Sequence, residues 1–237
     1  MSLPVIGITT SCGPDPNDRP GTERIYVNRL YADCLLAAGA VPILLTKQTP
    51  PETVLELVDG LLIPGGDDID ASHFGEENHP AVNLEDPGRY PYEKSLLDAL
   101  PEAAPVLGIC YGCQAINVYR GGSVIQHIPD RVPGSEHAGG TVQEYALDSS
   151  SRLAGIVGSD TVRGKSYHHQ SNESVGRGLR IVGRTADGII EAIEDSAGRW
   201  VIGVQWHPER TPDDPGTVRL FKAFVGAASE HRRLKGK

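Results

Sequence analysis

The sequence predicts an α/β protein with a mostly parallel central sheet, helices on both faces and an antiparallel segment added in the C-terminal half. Three observations carry this. Through Tyr119, short apolar runs alternate with stretches of helical periodicity. The runs are apolar without alternation, as strands covered on both faces are. Beyond Tyr119 the pattern changes to strand-like runs joined by short turns, two of them bearing glycine.

Taken in order, Val5–Thr10 reads as a buried strand rich in β-branched residues, broken by a polar loop, Ser11–Gly21, with three prolines. Arg24–Ala38 reads as a helix, because Val27, Leu30, Tyr31, Cys34, Leu35 and Ala38 share one face, and Gly39 ends it. Val41–Leu45 is the second strand, Pro51–Val58 a short helix, and Gly60–Pro64 the third strand, stopped by Gly65-Gly66. Asp67–Gly88 is acidic and irregular, with several histidines, and Tyr92–Leu100 is helical. Val106-Leu-Gly-Ile109 is a strand that feeds a helix running through Tyr119. Thr141–Leu147, Gly178–Ala186, Gly188–Glu194 and Arg199–Trp206 read as further strands, and Thr217–Ala227 as a last helix. With no repeat, low-complexity tract or linker, residues 1–237 are expected to form one domain.

The 237 residues are 39% hydrophobic and 22% charged, enough apolar content for a packed core. A net charge of −9 argues against nucleic acid or an anionic membrane as a partner. His231-Arg232-Arg233, with Lys235 and Lys237, reads as a solvated basic tail. No run reaches membrane-span length, and Met1-Ser2-Leu3-Pro4 opens no secretory signal. Four unevenly spaced cysteines make no disulfide framework, so the cytoplasm is the expected compartment.

The chemistry concentrates at two strand ends. Gly108-Ile-Cys-Tyr-Gly112 has the form of a nucleophile elbow with a thiol in place of the hydroxyl. Cys110 falls where a helix begins, and helix N-termini favour thiolates. The second apolar run empties into His207-Pro208-Glu209. If that segment is extended, residues two apart face the same way, which lets Glu209 orient the His207 ring as base for Cys110. Gly65-Gly66 after the third strand offers a backbone amide for an oxyanion, paired with the amide of Tyr111. This is the pattern of a cysteine-nucleophile hydrolase.

Rival readings attach to particular residues. Cys110 and Cys113 form a C-x-x-C that would suit a redox switch, yet no second pair follows at metal spacing and redox exchange leaves the glycine elbow unexplained. Cys113 is expected on the inner face of its helix, and Cys12 and Cys34 in structural roles. Tyr167-His-His-Gln170 reads as a substrate-contacting loop rather than a metal site, because adjacent histidines on an extended chain diverge. His73, His79, His127 and His137 are expected to be solvated. No metal and no cofactor is expected.

The chain resembles the γ-glutamyl-γ-aminobutyrate hydrolase family, in the class I glutamine amidotransferase-like superfamily. The likeness runs over Pro4–Thr9, Ala37-Ala-Gly39 with Pro42, Pro64-Gly-Gly-Asp-Asp-Ile69, the elbow, Gln114 with Asn117, Gly121-Gly122, Ser166–Gln170 and Gly203–Glu209. It implies a flavodoxin-like core, a Cys110-His207-Glu209 triad, an oxyanion hole of the Gly66 and Tyr111 amides, and Gln114 and His169 near a glutamyl group. It further implies a stand-alone, cofactor-free enzyme acting on a small γ-glutamyl amide; a homodimer is the default for a soluble oligomer. Two positions depart from the pattern. Tyr111 stands where the hydrolase branch usually has arginine, and Tyr90 where aspartate is frequent, so the guanidinium available to a substrate carboxylate changes. The same triad would serve a glutaminase subunit that passes ammonia to a synthase, and a non-enzymatic thiol protein is the remote alternative. The leaving amine is not legible.

Overall fold

The computed structural model describes residues 2–236. In chain order the strands and helices are β1 Val5–Thr9, β2 Ser11–Pro14, β3 Glu23–Tyr26, α1 Arg29–Ala37, β4 Val41–Leu45, α2 Pro51–Leu57, β5 Gly60–Ile63, α3 Arg89–Ala99, β6 Val106–Ile109 and α4 Tyr111–Tyr119. They continue with β7 Val124–Ile125, α5 Ile128–Arg131, β8 Thr141–Leu147, α6 Arg152–Val157, β9 Thr161–Ser166, β10 Ser171–Asn172, β11 Leu179–Arg184, β12 Ile190–Asp195, β13 Val201–Val204 and α7 Pro215–Leu234.

The main sheet has nine strands in the order β4-β1-β5-β6-β13-β12-β11-β8-β9. The five from β4 to β13 are parallel, and β12, β11, β8 and β9 extend the sheet antiparallel. Successive strand residues enter opposite cores, as the period-two geometry of a strand requires. Leu62, Leu107 and Ile109 pack with Leu35, Trp206, Phe221 and Phe224 on one face. Leu61, Ile63 and Val106 pack with Leu96, Ile116 and Val118 on the other. This two-sided burial is why the strands read as unbroken apolar runs. It also fixes every parallel strand end, and therefore Cys110, which follows β6, and His207, which closely follows β13.

The structure departs from these expectations at several points. The segment expected to open the first helix at Arg24 instead forms β3, paired antiparallel with β2 inside the expected loop. Helix α1 begins only after Asn28, whose side chain accepts the Leu30 N–H at 3.0 Å. An N-cap of this kind overrides apolar spacing further upstream. Strand β9, Thr-Val-Arg-Gly-Lys-Ser, and the short helix α6 went unanticipated. As an edge strand, β9 carries charges and little apolar pattern.

Among the described residues the basic C-terminus is not a solvated tail; Lys237 lies outside them. Helix α7 runs on to Leu234, with Asp214 capping its start through the Thr217 N–H at 2.9 Å. Arg232 reaches the fully buried Asp59 at 2.9 Å, and Lys235 donates to the carbonyls of Leu55 and Val58. A carboxylate without solvent needs a counter-charge, and the terminal helix supplies it.

Candidate active site

Cys110 sits between the end of β6 and the start of α4 with φ 53° and ψ −109°, the one non-glycine residue with positive φ among those described. A non-glycine residue held there costs on the order of 1–3 kcal/mol and persists only when its surroundings over-determine it. They do so here. The Cys110 N–H is held by the Val204 carbonyl at 2.8 Å, and its carbonyl accepts from Cys113 and Gln114 as the helix opens. The flanking glycines permit the close approach. A Cβ on Gly108 would lie 2.5 Å from the Gly112 carbonyl oxygen, and one on Gly112 would fall onto the Ile63 carbonyl.

His207 follows β13, and its N–H bonds the Lys165 carbonyl at 3.0 Å. Its Nδ1 lies 2.7 Å from Glu209 Oε1, both side chains being buried. The route differs from the expected one. Pro208–Arg210 is a single 3₁₀ turn, not an extended segment, and the turn itself brings the carboxylate back to the ring. The remaining nitrogen, Nε2, is buried without a hydrogen bond, and Cys110 is close enough to act on the ring. Burial alone would lower the imidazole pKa. The Cys110 sulfur and the Glu209 carboxylate outweigh it, and the value rises to about 10.

Above this pair lies a cavity of about 220 Å³ lined by Cys110, Gly66, Tyr111, Gln114, Tyr167 and His169, among others. The structure thus gathers every residue singled out as a candidate: the thiol, imidazole and carboxylate in contact, and Gly66, Tyr111, Gln114 and His169 on the cavity wall. Gln114 Nε2 donates to Gln205 Oε1 at 3.2 Å, and Gln205 Nε2 lies 3.5 Å from Cys110 Sγ. His169 Nε2 meets Asp68 Oδ2 at 2.9 Å, and that carboxylate raises its pKa. A larger cavity, about 600 Å³, lies at the opposite ends of the strands beside Val106 and Val201; it is lined by Arg120 and Arg177 but by no cysteine.

The Gly65–Gly66 peptides are held by residues that sequence reading missed. Gly65 N–H donates to Tyr31 Oη at 3.0 Å, and Asp67 N–H to Glu85 Oε2 at 3.0 Å. Arg89, 1% exposed, donates to the carbonyls of Pro64 at 2.8 Å and Gly65 at 3.3 Å. Its guanidinium also bonds Glu85 and Glu93 and stands 4.2 Å from the Tyr111 ring. Tyr31 is buried, and burial with the nearby Glu209 and Cys110 keeps its hydroxyl well above the usual tyrosine range, hence protonated. In the sequence Tyr31 was one apolar-face residue of α1. The spacing Glu85, Arg89, Glu93, each four apart, was the available signal for the ion-pair cluster.

Two histidine expectations resolve differently. His168 and His169 do diverge: His169 faces Asp68, while His168 turns inward, its Nδ1 donating to the Gln170 carbonyl at 2.9 Å. His137, expected to be solvated, is 3% exposed. Cys113 is fully buried, its Sγ taking a contact from Asn172 Nδ2 at 3.3 Å, and burial pushes its thiol far up. No helix among the described residues is long and apolar enough to cross a membrane.

The fold and the strand-end cysteine define an α/β enzyme of the hydrolase and amidotransferase type. The chain belongs to the Peptidase C26 family, whose model matches residues 4–209. A Mycobacterium tuberculosis protein with a provisional glutamine amidotransferase name is 40% identical over 240 residues, covering 96% of this chain and 76% of the relative. The γ-glutamyl-γ-aminobutyrate hydrolase of Escherichia coli K12 is 27% identical over 248 residues, covering 98% of this chain and 96% of its own. A crystal structure from Thermoplasma acidophilum, provisionally described as one subunit of a GMP synthase, superposes with a TM-score of 0.72 at 16% identity over the whole of both chains. That likeness is one of fold.

Proposed function

We propose that the protein hydrolyses γ-glutamyl amides through a γ-glutamyl thioester on Cys110. The observation that carries the reading is the Cys110–His207–Glu209 contact beneath a cavity walled by Gly66 and Tyr111. His207 takes the thiol proton and the sulfur attacks the side-chain carbonyl. The amides of Gly66 and Tyr111 bind the resulting oxyanion. Support for that role comes from the neighbours. The N–H groups on either side of Gly66 are already engaged, and the first amides of a helix such as α4 have no intrahelical partner. The imidazolium then protonates the leaving amine as the C–N bond breaks. Water, deprotonated by the same ring, attacks the thioester and releases glutamate. Gln114 and His169 contact the glutamyl moiety from the cavity wall.

The test is purified protein incubated alone with γ-glutamyl amides, including γ-glutamyl-γ-aminobutyrate and glutamine, with glutamate release as the readout. Release from several amides supports the reading; release from none refutes it. The relatives' amidotransferase and synthase names favour a second reading, a glutaminase that supplies ammonia to a partner. It predicts release from glutamine alone, stimulated by the synthase.

The pH dependence follows from the His207 environment. The imidazolium is the acid for the leaving amine, so kcat/KM should fall on the alkaline side as pH passes about 10. Glu209→Gln removes a group that raises this value and should move the alkaline limb to lower pH. An unmoved limb would disconnect Glu209 from the ring. The same charged ring stabilises the fold: its contribution is complete below the ordinary 6.5 and is lost as pH rises through about 10.

A further inference from the structure

Behind the His168 wall of the cavity, His137, His168 and Glu191 face one another, 3%, 5% and 0% exposed. His137 Nδ1 lies 3.3 Å and His168 Nε2 3.5 Å from Glu191 Oε1, and the three candidate ligand atoms fall within 4.8 Å of one another. Their outward nitrogens are committed. His168 Nδ1 must donate, because its partner is the Gln170 carbonyl at 2.9 Å. His137 Nε2 meets the Asp187 carboxylate at 2.9 Å. With those protons placed outward, two ring lone pairs and a carboxylate converge on one another. His137 Nδ1, His168 Nε2 and both Glu191 oxygens are buried without a hydrogen bond. Three acceptors with no donor among them repel unless a further proton or a metal cation lies between them.

We propose that His137, His168 and Glu191 bind a zinc ion. Zinc bonds of about 2.0–2.1 Å place tetrahedral ligand atoms about 3.3 Å apart, close to the two separations found here. Two imidazoles and a carboxylate form a donor set that zinc accepts. The outer partners, Asp187 and the Gln170 carbonyl, are the second contacts that metal-binding histidines require to fix ring and tautomer. The adjacency of His168 and His169 hid this site in the sequence, since the true companion of His168 comes from the loop before β8. The ion would pin three segments together: the His137 loop, the His168 loop and β12. Glu191 lies in β12, and its carbonyl holds the Gln205 N–H at 2.7 Å, so the site backs the strand end that carries the Cys110 contact. Its role is structural, and it does not depend on which amide is cleaved.

The test is chelator-treated protein in the Cys110→Ala background, which removes the reactive thiol as a competing zinc ligand. It is titrated with zinc chloride against a chromophoric chelator, and melting is followed in parallel. The expected result is one zinc per chain with a rise in Tm. Both effects should be lost in Glu191→Gln and His137→Ala, and affinity should fall roughly 10–100-fold in Asp187→Asn, which disturbs only the outer partner. Should His137→Ala fail to fold, Asp187→Asn and Glu191→Gln decide. No stoichiometric uptake by the parent protein, or uptake unchanged in Glu191→Gln and Asp187→Asn, overturns the proposal. In the first case a proton on His137 or Glu191 holds the cluster together instead.

Discussion

Cys110→Ala should lower glutamate release from a γ-glutamyl amide by roughly 10⁴-fold or more, the scale seen when a covalent nucleophile is removed. No other thiol can substitute. Cys113 is fully buried against Asn172 and the backbone of β13, and its thiol is held far from ionisation. The substitution removes chemistry without rebuilding the elbow, because alanine has the same steric quarrel with φ 53°. Glycine does not. Cys110→Gly should be equally inactive yet melt higher than Cys110→Ala, with strain of about 1–3 kcal/mol available for release. The pair separates two ideas. Normal turnover by Cys110→Ala would end the nucleophile assignment, whereas equal melting of the two variants would show only that the backbone there is unstrained.

The parts of this arrangement that sequence reading reached are those written in local runs. Val106–Ile109 and Val201–Val204 are apolar at every position because β6 and β13 are neighbours in the middle of the sheet. Their ends could therefore be placed at one rim before any coordinates. Glycines at 108 and 112 announced the tight turn, since larger residues collide with the helix and β5 backbones. What stayed hidden was written in tertiary contacts. Tyr31 lies on the buried stripe of α1, where a tyrosine reads as one more apolar residue, yet its hydroxyl holds the Gly65 amide. His137 sits in a polar loop before β8, and only the fold brings it to Glu191. The C-terminal basic cluster misled because charge implies solvent. Asp59, buried at the start of β5, reverses that inference. In each case a buried polar group sought a partner far along the chain, and periodicity carries no record of such pairs.

Arg89→Leu should destabilise the protein by about 3–5 kcal/mol, the cost of leaving buried charges without their counter-ion. The guanidinium lies between Glu85 Oε2 at 2.7 Å and Glu93 Oε1 at 2.9 Å, carboxylates that are 5% and 0% exposed. Leucine fills much of the space but leaves two anions facing each other without water. Adding Glu93→Gln to Arg89→Leu should recover part of the loss, a non-additivity expected of one network. Arg89→Lys separates charge from geometry. One ammonium supplies the positive charge but cannot reach Glu85, Glu93, Ser11 and the Pro64 carbonyl together, as the planar fork does. That variant should fold, with a smaller shift in its urea midpoint, and still lose kcat roughly 100-fold, the scale of one oxyanion donor. The reason lies in the carbonyls of Pro64 and Gly65. With these released, the Gly66 peptide is free to rotate, and its N–H leaves the position proposed for binding the oxyanion. Urea unfolding and steady-state kinetics on the same preparations check both halves. An Arg89→Lys enzyme with unchanged kcat would confine Arg89 to stability and remove it from the support of the oxyanion site.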